Sequence, residues 1–142
     1  MRRAFLGRVA DMIRNEKDTV FFTVDIGMWA IRDVLRDYPE RCCNVGIFED
    51  GMFSIAAGMA RRGLIPTIFG IQPYLIERTL EQIKMDLAYQ KLGVNIVGTG
   101  AAVDYPKYDN YDAIEVGKTK NIPMDYTGLI GVPITFIRVT NY

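Results

Sequence analysis

Apolar and polar residues alternate in the first part of the chain in a way that predicts helices and strands in turn. An amphipathic stretch over residues 4–17 predicts a helix, and the β-prone run 20–26 predicts a buried strand. A short helix that stops before Pro39 and a strand over 43–47 come next. The chain therefore opens with two helix and strand pairs.

The same alternation continues toward residue 100. Small residues fill a predicted helix over 52–62, which ends at Gly63, and a strand over 64–71 follows. The pattern then predicts a long amphipathic helix over 74–91 and a strand over 94–98. Strands and helices that alternate with short connections predict an α/β fold, in which a parallel sheet carries helices on both faces.

The pattern changes after residue 105. Residues 106–142 are rich in proline and glycine and show no helical period, and only 113–116 and 134–139 have the composition of strands. We therefore predict one α/β domain over residues 1–105 and an irregular C-terminal tail that is unrelated to it or poorly integrated.

Composition narrows the classes of function. The 142-residue chain has 17 basic and 17 acidic residues, so its bulk charge does not indicate nucleic-acid binding. No apolar run approaches the roughly 18 residues of a membrane span, and no secretory segment opens the chain. We expect a cytoplasmic protein with neither nucleic acid nor membrane as a partner. Histidine is absent, which excludes histidine bases and histidine-containing zinc sites.

The cysteines give no sign of a disulfide or a metal site. Cys42 and Cys43 are adjacent, so in a strand their side chains point to opposite faces and cannot bridge each other in the usual geometry. We predict two buried thiols. The sequence contains no phosphate-binding loop and no cluster of metal-ligating residues.

Glu49 is the first candidate for chemistry. It follows a predicted strand, at the edge of a parallel sheet where ligands collect and helix N-termini point. Its carboxylate could exchange a proton with a nitrogen heterocycle. It could instead complement the dipole of the following helix, which is the role expected of Asp50. Position alone favours this second interpretation.

Two further segments have alternatives of the same kind. Asp25, Ile26 and Gly27 end a predicted strand and could line a ligand crevice, although Asp before Gly is also ordinary in turns. Tyr74 and Leu75 begin a predicted helix, where an aromatic face could cover a flat ligand or belong to the core.

Arg78 lies one helical turn beyond Tyr74. Its guanidinium could hold an anionic group of a ligand. It could also pair with Glu77 or Glu81, its neighbours along the predicted helix. The sequence pattern leaves both interpretations open.

Longer strings around these candidates resemble a known family. The string 38–49, YPERCCNVGIFE, is similar to the pyrimidine-binding domain of the transketolase family, as are the segments 25–27, 56–60 and 73–97. The resemblance covers about residues 18–105. It implies a thiamine diphosphate-binding fold of the pyrimidine-binding type.

The resemblance also implies an activity and a role for Glu49. The family's cofactor is thiamine diphosphate, and its transferases move a two-carbon ketol unit between sugar phosphates. The glutamate at the position of Glu49 hydrogen-bonds the aminopyrimidine ring and so promotes removal of a proton from the thiazolium carbon. The remaining candidates are implied to surround the cofactor and substrate: Tyr74 or Leu75 on the pyrimidine, Asp25, Ile26 and Gly27 in the cofactor crevice, and Arg78 at the substrate.

The chain lacks half of what the family needs for catalysis. A separate pyrophosphate domain with a Gly-Asp-Gly…Asn signature supplies the Mg²⁺ and diphosphate ligands, and that signature is absent here. The resemblance thus implies a split or truncated enzyme that is inactive without a pyrophosphate-domain chain, and it also implies a homo- or hetero-oligomer. A non-catalytic interaction module or a degenerate fusion product is the alternative.

The tail resembles a different family. Residues 108–137 are similar to a stretch of the EcoRI-type adenine-specific DNA methyltransferases. The catalytic strings Asn-Pro-Pro-Phe and Asp-Pro-Pro-Tyr of such enzymes do not occur in the chain, so we expect no methylating activity. We predict that the segment 105–108 marks a fusion of two unrelated coding sequences.

Overall fold

The computed structural model describes residues 2–99 and the strand 135–139, the latter through its main chain. Helices and strands alternate, as the sequence predicts. The helices are α1 (Arg2–Asn15), α2 (Arg32–Asp37), α3 (Glu49–Arg61) and α4 (Leu80–Gln82). The strands are β1 (Thr19–Thr23), β2 (Cys42–Asn44), β3 (Ile65–Ile71), β4 (Asn95–Thr99) and β5 (Thr135–Val139). A 3₁₀ turn covers Met28–Ala30, and π-helical turns over Tyr74–Arg78 and Ile83–Ala88 flank α4.

One parallel sheet organises the described part of the chain. Its five strands follow the order β2-β1-β3-β4-β5, and every neighbouring pair is parallel. Because all strands run the same way, their carboxyl ends meet at one edge, which we call the carboxyl edge. The predicted α/β fold with a parallel sheet is confirmed.

Helices cover both faces of the sheet, also as predicted. Alternate residues of β1 show the division, since Val20 and Phe22 point to one apolar cluster and Phe21 to the other. The first cluster lies under α3 and the helical segment 74–88. The second lies under α1 and α2. Because both faces are covered, all five residues of β1 are buried, and no exposed positions alternate with them.

The predicted α-helix over 74–91 is helical only to residue 88, and most of it is π-helical. Bonds that span five residues mark this winding, such as the one from the Leu92 amide to the Leu87 carbonyl at 3.0 Å. The buried positions explain it. They recur every fourth residue, at Leu75, Thr79, Ile83 and Leu87. This repeat exceeds the 3.6 residues of an α-turn, so wider turns keep the buried side chains on one face.

The cysteines are free and lie on opposite faces of β2, as predicted. Cys42 is buried, whereas Cys43 is only half-buried, with its Sγ 2.8 Å from the Pro39 carbonyl oxygen. The prediction of two buried thiols is therefore right for Cys42 alone. Burial raises the pKa of the Cys42 thiol to about 12, and burial also raises the pKa of Cys43.

Of the predicted tail, the structure describes one strand. Its main chain pairs with β4, from Asn95 opposite Thr135 to Thr99 opposite Val139. The strand predicted over 134–139 is thus confirmed, while the strand predicted over 113–116 and the domain boundary at residue 105 lie outside the described residues. No helix in the described part of the chain is long and apolar enough to cross a membrane.

The predicted boundary can be tested by deletion. The two apolar clusters of residues 2–99 are built around β1, β3 and β4. We therefore expect a chain that ends at Tyr105 to stay folded and to lose no more than about 1–2 kcal/mol in free energy of unfolding, measured in urea. A tail whose apolar side chains complete the core would instead cost about 2–5 kcal/mol for each large side chain removed. Limited proteolysis of the full chain is the control, because protection of residues 106–134, which precede the paired strand β5, would contradict the boundary.

Candidate functional site

Glu49 begins α3 at the carboxyl edge of the sheet. The loop 45–48 carries the chain from β2 to this position, and the next turn of the helix buries Met52 and Phe53 in the core. The Glu49 side chain is only 3% exposed. The N-terminal end of a helix attracts negative charge, so part of the cost of burying the carboxylate is offset by α3.

Arg78 supplies the opposite charge. Its Nη1 donates to Glu49 Oε2 at 2.5 Å, across 29 positions of sequence. The Arg78 side chain is 43% exposed, so the guanidinium lies between a buried carboxylate and the solvent. Of the alternatives that the sequence leaves open for Arg78, the structure shows an ion pair, but with Glu49 and not with a helical neighbour.

Tyr74 completes a group of three side chains. The Arg78 guanidinium carbon lies 4.8 Å from the centre of the Tyr74 ring, within range of a cation–π interaction. The ring is 36% exposed. Glu49, Tyr74 and Arg78 therefore form one cluster at the carboxyl edge, which we call the Glu49 cluster.

Leu75 points the other way from Tyr74. It is fully buried in the apolar cluster under α3. It also lies so close to β3 that a Cβ added at Gly70 would come within 3.1 Å of the Leu75 side chain. Of the two residues predicted to pack on a ligand ring, Tyr74 is thus the one that is partly exposed, and Leu75 is not.

The segment 25–27 lies after β1 at the same edge but is tied to other neighbours. Asp25 has a positive φ of 52° and exchanges two hydrogen bonds with Asn44 at the end of β2. The Asp25 amide donates to Asn44 Oδ1 at 2.9 Å, and Asn44 Nδ2 donates to Asp25 Oδ1 at 2.7 Å. Ile26 is half-buried against both apolar clusters. Gly27 adopts a φ of 73°, and a Cβ there would meet Leu6 at 2.8 Å.

Sequence reasoning missed two polar residues at this edge. Asn44 holds the ends of β1 and β2 together through Asp25. Gln72 follows β3 and is only 7% exposed, yet its Oε1 has no hydrogen-bond partner among the described residues. The argument that singled out Glu49, a polar side chain after a buried strand, would have found Gln72 but not Asn44, which lies inside the strand predicted over 43–47 and is the last residue of β2 in the structure.

A close contact fixes the first turn of α3. The Phe48 ring, which is 51% exposed, folds back over Gly51, where an added Cβ would lie 1.9 Å from the ring. The Gly51 amide donates to Asp50 Oδ1 at 2.9 Å. Glycine at this position therefore allows an aromatic side chain to cover the helix end beside Glu49.

The described residues offer no metal site. Among residues 2–99, no three acidic or cysteine side chains come together in a way that could hold an ion. What the edge does offer is a partly exposed positive charge that contacts both a buried carboxylate and an aromatic ring. Such a group can bind a flat heterocycle and exchange a proton with it.

Comparisons with known proteins match two parts of the chain to different families. The family described as "Transketolase, pyrimidine binding domain" matches residues 1–107. The family described as "Adenine-specific methyltransferase EcoRI" matches residues 81–142. A relative of this second kind is the type II methyltransferase M.EcoRI of Escherichia coli, which is 64% identical over 42 residues, 30% of this chain and 13% of that protein. Both predicted resemblances are confirmed.

The longer matches are to curated proteins of which this chain spans less than half. An uncharacterized 33.6 kDa protein in the fasciation locus of Rhodococcoides fascians is 32% identical over 142 residues, all of this chain and 43% of that protein. A subunit of the apulose-4-phosphate transketolase of Phocaeicola vulgatus is 32% identical over 105 residues, 73% of this chain and 34% of that subunit.

A solved structure supports the fold. A split gene transketolase, described as an inactive β4 tetramer, has a TM-score of 0.66 and 23% identity, and the match covers 98% of this chain and 50% of that one. At this identity the likeness establishes the parallel α/β architecture only. The family match, which covers about three quarters of the chain, establishes the relationship. The chain therefore belongs to the family of transketolase pyrimidine-binding domains.

Proposed function

We propose that this chain is the pyrimidine-binding half of a split or truncated, thiamine diphosphate-dependent, transketolase-like enzyme. The observation that carries the proposal is the Glu49 carboxylate, buried at the start of α3 and joined through Arg78 to the partly exposed Tyr74. Family membership supports the same conclusion. A helix-terminal charge without a binding role would gain nothing from burial, because water solvates a carboxylate better than a protein interior does.

The cluster fits an aminopyrimidine. Glu49 offers a carboxylate oxygen to a ring nitrogen from a site with little access to water, which strengthens the hydrogen bond. The Tyr74 ring offers a face on which the pyrimidine can stack. Thiamine diphosphate, when bound, supplies the carbon nucleophile for two-carbon ketol transfer between sugar phosphates. The task of Glu49 is to hold and return the proton at the pyrimidine ring nitrogen.

The other predicted site residues take supporting roles in this proposal. Asp25, Ile26 and Gly27 line the cofactor crevice at the end of β1, held in place by Asn44. Leu75 packs behind Tyr74 in the core and so fixes the start of the π-helical turn rather than contacting the ring. Arg78 contacts an anionic group of the substrate once it is free of Glu49.

A partner must supply the rest of the cofactor site. The described residues contain no cluster of metal ligands for the Mg²⁺ that accompanies a diphosphate. The apulose-4-phosphate transketolase relative, of which this chain spans 34%, is itself one subunit of an enzyme, which supports a divided architecture. We propose that the pyrophosphate domain lies on another polypeptide and that the active form is a homo- or hetero-oligomer.

A second candidate is a fusion product that serves at most as an interaction module. The match of residues 81–142 to adenine-specific methyltransferases favours it, because it overlaps the end of the transketolase match. The two candidates differ in one simple observation. A working half-enzyme co-purifies with a chain that bears the Gly-Asp-Gly…Asn signature, whereas a fusion product does not.

The missing half determines how the isolated chain binds the cofactor. We expect weak binding of thiamine diphosphate, in the millimolar range by calorimetry, because contacts to the diphosphate and Mg²⁺ come from the partner. Addition of the partner should tighten binding by more than about a hundredfold. Micromolar, magnesium-dependent binding by the chain alone would contradict the division of the site.

Replacement of Glu49 tests its role in proton transfer. In the complex with its partner, we expect Glu49→Gln to leave the fold intact and to lower turnover by about a hundredfold or more, the scale of a lost acid–base group.

Asp50→Asn is the matched control, since Asp50 is exposed in the same helical turn and bonds only its neighbour's amide among the contacts described. We expect it to change turnover little. Equal, small effects of the two substitutions in a steady-state assay would reduce Glu49 to a helix-terminal charge.

A further inference from the structure

Arg78 contacts both groups that the proposed pyrimidine site needs. Its Nη1 is bonded to Glu49 Oε2 at 2.5 Å, and its guanidinium carbon lies 4.8 Å from the centre of the Tyr74 ring. The carboxylate oxygen that would meet the ring nitrogen is thus engaged, and the aromatic face that would carry the ring is covered. An aminopyrimidine and the Arg78 guanidinium compete for the same two surfaces.

We propose that Arg78 occupies the pyrimidine site of the unloaded chain and leaves it when the cofactor binds. The released guanidinium is then available to an anionic group of the substrate, such as a sugar phosphate. This inference rests on the proposed function and adds to it the order in which the cofactor and the substrate bind. Cofactor must bind before Arg78 can serve the substrate, because the arrival of the ring at Glu49 is what releases the guanidinium.

The burial of Glu49 explains why a placeholder is needed. A carboxylate that is 3% exposed carries a desolvation cost, and removal of its partner leaves that cost uncompensated. Among the described contacts of the Glu49 side chain, Arg78 is the one that supplies a donor. The Glu49 carboxylate is therefore paired in both states, with the Arg78 guanidinium before the cofactor binds and with the aminopyrimidine ring afterwards.

The exposure of Arg78 explains how the exchange can occur. Its side chain is 43% exposed, so water solvates the guanidinium as soon as it leaves Glu49. The ring nitrogen replaces the guanidinium as the partner of Glu49, so the exchange leaves no buried carboxylate without compensation.

The exchange can be followed directly by NMR. The full chain, labelled with ¹⁵N, is titrated with thiamine diphosphate and Mg²⁺, alone and with its partner, while the Nε–H signal of Arg78 is recorded. We expect this signal to shift and to exchange faster with solvent as the cofactor binds. Arg61 is the control, because its guanidinium bonds the neutral Gln90 side chain at 3.3 Å, at the far end of α3.

Two substitutions separate a placeholder from a merely structural contact. Arg78→Gln removes the competing charge, and we expect it to lower the dissociation constant for thiamine diphosphate by roughly fivefold or more. Arg78→Lys keeps the charge but not the planar stacking on Tyr74, so its affinity should fall between those of Arg78→Gln and the unsubstituted chain. Arg61→Gln should leave the affinity unchanged.

The outcomes distinguish this inference from the function on which it rests. Cofactor binding without a change at Arg78, or weaker binding by Arg78→Gln, would overturn the exchange and leave the proposed function standing. No cofactor binding by any form, with or without the partner, would overturn both. If Arg78→Gln fails to fold, the Arg78 signal in the unsubstituted chain and the affinity of Arg78→Lys still decide the question.

Discussion

A carboxylate withdrawn from water must find compensation, and at Glu49 that requirement organises the carboxyl edge of the sheet. The start of α3 offers a helix dipole, and Arg78 offers a charge-assisted hydrogen bond at 2.5 Å. These two contributions come from different parts of the chain, because α3 follows β2 whereas Arg78 follows β3. The buried charge of Glu49 therefore couples the positions of two helical connections, the one from β2 to β3 and the one from β3 to β4. A shift of either connection would separate Glu49 from Arg78.

The winding of the segment 74–88 belongs to the same constraint. Side chains at every fourth position, from Leu75 to Leu87, are buried against the sheet. The π-helical turns keep these side chains on one face of the segment. The first of these turns carries Tyr74 and Arg78 to the carboxyl edge, where both remain partly exposed. The buried apolar side chains thus fix the position of the segment 74–88. This position places Tyr74 and Arg78 at the carboxyl edge, where Arg78 bonds Glu49.

Much of the fold was readable from the sequence, and part of the site was not. Alternating β-prone and amphipathic runs predicted the parallel sheet and its two helical layers, because period and burial are local properties. Glu49 is a candidate for a similar reason, since it comes soon after the strand predicted over 43–47. The partner of Arg78 was not predictable in this way, because local spacing offers only Glu77 and Glu81 whereas the ion pair spans 29 positions and depends on the order of the strands. The π-helical turns were missed because a four-residue repeat is close to the α-helical period.

The pairing of β4 with β5 shows what a sheet requires of a strand that is added to it. β4 pairs in parallel with β5, which lies beyond the transketolase match over residues 1–107 and within the match to adenine-specific methyltransferases. Main-chain donors and acceptors are the same for every residue except proline. A strand can therefore pair with any extended backbone segment, whatever family that segment resembles. A segment that resembles one family can therefore extend the sheet of another. Sheet edges are places where recombination can add sequence to a folded domain without first having to remake its core.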